Sequence, residues 1–315
     1  MVLIVDNINV TKCPASTSSF FRDHPQLVSR AKNWQSGTVK KVSDVGLLYV
    51  AQREFAVVPG SDNRVKVVGS DDATTCHIVM FLHKASGSVA LAHFDGSRHE
   101  DSSLARFLQV LVGNSDDRKL EVYAIGGFFN NQANVRGLKE SQELSLKLLK
   151  NFMKLEFDFN LIQWCCCELN SIIYRNPRPH VRPLFHGLCY DRINKTAHPA
   201  SFESHGVDVA LRAASVWYTA TRSMNDLYDS ANHSITIKPF HNNSDHPWSF
   251  YKTLSDEAIL DNFSTSPSAE PPLFCSQMRL MFNLLDAHPQ PMKTLFADGQ
   301  PRVYELLQNG KWDLH

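Results

Sequence analysis

Two runs of β-forming residues, CHIVMFLH (Cys76–His83) and SVALAHFDG (Ser88–Gly96), are separated by only the four residues KASG. So short a link cannot carry a parallel crossover, which needs a dozen or more residues, and the two runs must pair as an antiparallel hairpin. The turn length then decides which residues face one another. With Lys84–Gly87 as the turn, His83 opposes Ser88, Ile78 opposes His93 and Cys76 opposes Asp95. Opposed residues share a face, as do alternate residues along a strand. Cys76, Ile78, Met80 and Leu82 therefore share one face with Val89, Leu91, His93 and Asp95. Cys76 and His93 become diagonal neighbours, roughly 7–8 Å apart at the backbone and within reach of an imidazole. His77 points the other way. A turn one residue shorter or longer would put Cys76 and His93 on opposite faces.

Short β-rich runs also precede the hairpin: TVKKV, GLLYVAQ, EFAVV and RVKVV, between Thr38 and Val68. Gly, Asp, Asn and Pro punctuate them, which predicts an antiparallel meander. LIV (Leu3–Val5), KLEVYAIGGF and NLIQWCCCEL (Asn160–Leu169) predict further strands. Helical spacing of apolar residues marks His24–Trp34, Leu104–Val112, Glu140–Leu155 and the segment ALRAASVWY. DEAILDNF and PLFCSQMRLMFNLLDAH continue the helical list, and RVYELLQNGKWDL predicts a final hairpin turning at Asn309-Gly310. Helices and hairpin-connected strands in mixed order predict an α+β fold, a layered sandwich of mostly antiparallel sheets with helices packed on them. No strong linker interrupts the chain, so residues 1–315 are expected to form one domain, with the Cys/His hairpin at 70–96. The Pro-rich, basic stretch Tyr174–Pro183, with Arg175, Arg178 and Arg182, predicts a solvated loop.

Lys plus Arg and Asp plus Glu number 32 each, so no overall charge draws the chain to nucleic acid or an anionic membrane. Apolar runs stay far below the ~18 residues that span a bilayer. The first residues, MVLIVDNINVTK, lack the basic start and long apolar stretch of a secretory signal. Seven cysteines, three of them consecutive and none in a C-x-x-C pair, predict free thiols in a reducing compartment and no metal site.

Cys76 in SDDATTCHIV admits two readings: a nucleophile, or a small residue filling a sheet core. Thiolate rather than thiol attacks a carbonyl carbon, and a contacting imidazole can lower the thiol pKa and later protonate a leaving amine. His93 is the candidate base, and Ser70, Asp71 and Asp95 are candidates to orient its ring.

These residues carry a resemblance. GSDDATTCHIV (Gly69–Val79), preceded by GLLYVAQRE (Gly46–Glu54), resembles the protein N-terminal asparagine amidohydrolase family. HFDG (His93–Gly96), GGF (Gly126–Phe128), CELN (Cys167–Asn170) and STSPSAEPPLF (Ser264–Phe274) follow in matching order. Around the hairpin, the chain is also remotely similar to bacterial chemotaxis-receptor glutamine deamidases, in which a Cys is followed by a His 17 residues on and preceded by a hydroxyl residue six back; Cys76, His93 and Ser70 stand at those positions. The family resemblance implies hydrolysis of the side-chain amide of an N-terminal Asn to Asp and ammonia, without a cofactor, by a monomeric enzyme of the cytoplasm and nucleus. The product would feed the Arg branch of the N-degron pathway. Such a reaction must read the substrate's free α-ammonium, which needs carboxylate or carbonyl partners once desolvated. Asp71, Asp72, Glu54 and Glu270 are the candidates. Partners are then peptides and proteins with a free N-terminal Asn, with no nucleic acid and no membrane. Two other activities remain open: a thiol amidase acting on glutamine or on internal side-chain amides, and a non-catalytic protein that binds N-termini.

Overall fold

A computed structural model of the chain describes residues 2–97, 100–129, 136–174, 180–218, 223–242 and 246–315. The hairpin lies at its centre. Strands His77–His83 and Ser88–Phe94 pair antiparallel, with His83 opposite Ser88 and Ile78 opposite His93, as the turn length predicts. Every residue of both strands is buried. Covering on both faces explains why these runs are almost continuously apolar rather than alternating.

The hairpin sits inside an eight-stranded sheet. Its order is Asn225–Asp226, Glu54–Val58, Ser88–Phe94, His77–His83, Lys119–Gly126, Asp158–Cys166, Val2–Val5 and Ile8–Val10. The strands from Glu54–Val58 to Lys119–Gly126 alternate in direction, whereas Asp158–Cys166 runs parallel to both of its neighbours. One face is closed by two helices: Phe81 meets Phe107 of Glu100–Val112 and Phe152 of Arg136–Phe152, each at 5.7 Å. Leu144, Leu148 and Phe152, whose spacing predicts the second of these helices, are buried.

The face that carries Ile78 and His93 meets a five-stranded sheet, ordered Lys40–Val42, Thr196–Phe202, Leu188–Asp191, Val67–Ser70 and Leu47–Tyr49. The meander expected over Thr38–Val68 does not form. Lys40–Val42 pairs in parallel with Thr196–Phe202, Leu47–Tyr49 pairs in parallel with Val67–Ser70, and Glu54–Val58 crosses into the larger sheet beside Ser88–Phe94. β-branched and aromatic residues determine that a segment extends; its partner depends on which sheet face the segment covers.

The Phe274–Ala287 helix packs against the Val209–Tyr218 and Asp256–Phe263 helices. The final hairpin forms as expected, Arg302–Leu306 with Trp312–Leu314, with Gly310 at φ 81° in its turn. Trp312 Nε1 donates to the Leu47 carbonyl at 2.9 Å, tying this end of the chain to the smaller sheet. The predicted solvated loop is flanked instead by paired strands, Ser171–Tyr174 and His180–Pro183; residues 175–179, with Arg175 and Arg178, lie outside the described residues. Cys165, Cys166 and Cys167 are buried free thiols. Helices interleaved with mixed, mainly antiparallel sheets are consistent with the α+β class. Among the described residues no helix is long and apolar enough to cross a membrane.

Candidate active site

A cleft of about 450 Å³ opens beside the hairpin, with Cys76, His93, Asp71, Asp72, His205 and Glu270 among its lining residues. Ser70 ends its strand in the smaller sheet, and His93 stands near the end of its strand in the larger one. Ser70 Oγ lies 2.8 Å from His93 Nδ1 and joins the two sheets across the buried interior. With Nδ1 engaged, the imidazole has Nε2 left for chemistry. Cys76 reaches the same cleft because His77, next in the chain, projects from the opposite face.

The backbone around Cys76 is clamped from behind. Gly127 N–H donates to the Cys76 carbonyl at 2.8 Å, and Ser141 Oγ donates to the Thr75 carbonyl at 3.3 Å. His77 Nε2 lies 2.7 Å from Ser145 Oγ on the same helix as Ser141. A Cβ on Gly126 would stand 2.2 Å from the Cys76 carbonyl oxygen, so only glycine lets the neighbouring strand end this close to the cysteine. Burial holds the His77 ring down to a pKa of about 3. It is a neutral anchor, not an acid or base of the cleft.

Burial also governs the charge state of the central pair. It pushes the Cys76 thiol well above its usual range, and the negative charges of Asp95, Glu270 and Glu100 add to that, against a smaller opposing effect of Arg53. Burial lowers His93 to about 4, although Asp95, Asp71 and Glu54 pull the other way. At neutral pH the cysteine and histidine of the cleft are therefore both neutral. The thiol-lowering influence of a nearby imidazole, anticipated from the residues alone, is outweighed by desolvation and by the surrounding carboxylates.

Those carboxylates fall into distinct settings. Asp71 accepts from the Tyr49 hydroxyl at 2.7 Å and lies 3.3 Å from His205 Nε2. Asp72 accepts from Gln277 Nε2 at 2.8 Å and lies 3.7 Å from the same His205 nitrogen. Its backbone is left-handed at φ 60°, a conformation Asp tolerates better than most residues, and this kink follows directly on the end of the Val67–Ser70 strand. Burial, then the charge of Asp71, raises Asp72 to about 6. Ligand atoms of Asp71, Asp72 and His205 all lie within 4.8 Å of one another, compact enough for a small cation. Glu270 Oε1 gathers the hydroxyls of Ser264, Ser266 and Thr74. Glu54 is different: its oxygens take Arg212 Nε at 3.1 Å, Arg212 Nη2, and the Ala51 N–H at 2.8 Å. It is already neutralised inside the protein. Asp95, like Asp71 a candidate to orient His93, is engaged elsewhere, by Arg53 and Gln52.

Tyr49, His205 and Gln277 are site residues that sequence reasoning missed. Tyr49 lies within GLLYVAQRE but nothing there singled it out, and no motif marks His205 or Gln277; each is brought in by a different element: the Leu47–Tyr49 strand, the segment after Thr196–Phe202, and the Phe274–Ala287 helix. A second cavity of about 480 Å³ shares Arg212 and Val216 with the cleft, but among the described residues its lining includes no cysteine or histidine.

The protein N-terminal asparagine amidohydrolase family matches this chain over residues 37–314. The chain is 33% identical to the human protein N-terminal asparagine amidohydrolase, across 99% of this chain and 98% of that protein. Identity to the mouse protein of the same name is also 33%, over 99% of this chain and 98% of that protein. The Arabidopsis thaliana protein of that name is 29% identical across 84% of this chain and 80% of its own length. These matches class the chain as an amidohydrolase. Within that class, it belongs to the protein N-terminal asparagine amidohydrolase family.

Proposed function

We propose that the protein hydrolyses the side-chain amide of an N-terminal asparagine, through a thioester on Cys76. The observation that carries this reading is the Ser70–His93 contact of 2.8 Å beside a cleft that Cys76 also lines. Ser70 orients the ring. Neutral His93 takes the thiol proton as sulfur bonds to the carboxamide carbon, and the carbonyl π pair moves onto oxygen. The tetrahedral species collapses, the C–N bond breaks, and the imidazolium returns the proton to departing ammonia. His93 then deprotonates a water, which attacks the thioester carbon; the C–S bond breaks, the imidazolium returns its proton to the Cys76 sulfur, and the acid product gives its proton to the released ammonia, leaving aspartate. An N-terminal aspartate can be arginylated, which is how the product would enter the N-degron pathway in cytoplasm and nucleus.

Asp71, Asp72 and Glu270 would bind the substrate's α-ammonium, with Glu54 excluded by its buried partner. The same positive charge offsets the carboxylates that hold the Cys76 proton in place, Glu270 among them. Binding and activation are thereby coupled. Asparagine and glutamine differ by one methylene, worth only ~1–3 kcal/mol in a simple pocket. The fixed span from ammonium site to sulfur supplies the discrimination.

Peptides beginning with Asn, acetyl-Asn and Gln test the reading in one ammonia-release assay. The free Asn peptide should be turned over, and the other two should fall in kcat/KM by about 100-fold or more. Comparable turnover of acetyl-Asn would remove the ammonium site, and comparable turnover of Gln would make the protein a broader thiol amidase.

The acidic limb of the pH profile follows from Asp72. Below about 6 its carboxylate is protonated and cannot pair with an ammonium. kcat/KM should therefore decline with a midpoint near 6, well above the value near 4 at which His93 would cease to be a base. Asp72→Asn should lower activity at neutral pH and remove that limb. A wild-type limb that stays flat down to pH 5 would contradict this role.

A further inference from the structure

Residues 71–76 carry the acids Asp71 and Asp72 at one end and the thiol at the other. Each end is backed by a different stretch of chain. At the acid end, the Ala73 N–H donates to the His186 carbonyl at 3.0 Å. A Cβ on the next residue, Gly187, would stand 2.6 Å from the Asp71 Cβ, so this segment lies hard against the acid. At the thiol end, the Gly127 N–H donates to the Cys76 carbonyl at 2.8 Å. Residues 184–187 link the His180–Pro183 and Leu188–Asp191 strands, whereas Gly127 follows the end of Lys119–Gly126. One side chain joins the two supports. Asn170 Nδ2 donates to the Gly127 carbonyl at 3.0 Å and to the Phe185 carbonyl at 2.9 Å, and its Oδ1 accepts the Phe185 N–H at 2.9 Å. Asn170 is fully buried, so bulk water does not replace a bond that it loses.

We infer that Asn170 is a positioning residue: it fixes the span from the ammonium site at Asp71 and Asp72 to the Cys76 sulfur, and so enforces the choice of asparagine over glutamine. The inference rests on the proposed function, which places the ammonium at those acids. Both hydrogens of the Asn170 amide are used, one on each support, so the side chain acts as a strut of fixed length. Without it, residues 185–187 and Gly127 are free to shift separately, and the two ends of residues 71–76 shift with them. Distance is what the reaction must measure, because the competing amides differ by one methylene. A misplacement of about 1 Å costs up to about 100-fold in rate. Asn170 is not among the residues that line the cleft, so it acts only through the backbone that it holds.

Ammonia release from Asn-Ala-Ala-Ala and Gln-Ala-Ala-Ala, measured on the full chain, separates positioning from stability alone. Asn170→Ser shortens the strut and should lower kcat for the Asn peptide by about 100-fold, with KM changed by about threefold or less. The Gln peptide should lose far less, so the Asn-to-Gln ratio of kcat/KM should fall by at least about tenfold. Asn170→Asp keeps the shape of the side chain but not both donors, and it should narrow the ratio as well. A loss of folded enzyme would lower both peptides by one factor. Either variant that is folded by its melting curve and keeps the wild-type ratio would therefore overturn the inference. Should neither fold, amide hydrogen exchange in the wild type decides. One strut holds both supports, so protection of the Ala73 and Gly127 N–H groups should agree to within about tenfold, and a larger gap would overturn the link. Equal turnover of both peptides by the wild type would overturn the inference and leave a broader thiol amidase, whereas failure of the Asn peptide would overturn the proposed function itself.

Discussion

Cys76→Ala should abolish ammonia release from an N-terminal Asn peptide, by at least ~10⁴-fold in kcat, and Cys76→Ser should do nearly the same. Both variants should melt close to the wild type. The alanine change removes a single sulfur from a side chain already at the cleft wall, where Cys76 is 9% exposed, and that leaves little new cavity. The serine variant is the sharper test. A hydroxyl nearly keeps the volume, but it gives up its proton far less readily, and His93 at about 4 is a weak base to take it. Ammonia release surviving in either folded variant would move the chemistry to another group. Trapping a thioester on the wild-type enzyme by rapid acid quench, followed by mass measurement of the Cys76 peptide, provides the positive counterpart.

The second large effect concerns stability and falls on Arg212. The Arg212 and Glu54 side chains are 2% and 1% exposed, and Arg212 also donates to the Tyr49 carbonyl at 2.9 Å. Arg212→Leu leaves a carboxylate without its counter-charge in the interior, and breaking a buried pair in this way costs about 3–5 kcal/mol. Urea unfolding should show that loss as a lower midpoint at unchanged slope. Adding Glu54→Leu should restore much of it, because two apolar side chains of similar volume can replace a buried ion pair at little net cost. A single variant as stable as the wild type would show that Glu54 finds other partners. Because Arg212 holds the Tyr49 backbone and Tyr49 holds Asp71, the single variant should also bind substrate more weakly.

Much of the site was legible in one dimension. The four-residue turn between Cys76–His83 and Ser88–Gly96 was enough to place Ile78 opposite His93. The reason is local: a hairpin of given turn length has one register, and strand periodicity then assigns faces. Ser70, six residues before Cys76, was one of three candidates to orient the ring, and the fold places its Oγ 2.8 Å from the imidazole nitrogen. Glu54 looked equivalent to Asp71 and Asp72 in a string of letters. Only the Arg212 guanidinium, distant in the chain, separates it from them. The β-rich Thr38–Val68 segment misled for a similar reason, since its runs are all strands but serve two different sheets.

The charge state of the cysteine was out of reach for a deeper cause. Proximity of thiol and imidazole suggested an activated pair, whereas burial in the assembled cleft favours the neutral form of both. Desolvation depends on every atom packed around a group, and no motif encodes it.

From its amino acids alone, this protein determined a Cys/His hairpin, the face on which that pair lies, and a family likeness spread along the chain. Those properties depend on neighbours in the chain, whose spacing the covalent backbone sets. The folded molecule decided which carboxylates remain available to a substrate, and how Tyr49, His205 and Gln277 converge on Asp71 and Asp72. Those properties depend on contacts between residues far apart in the chain and on the water their packing excludes.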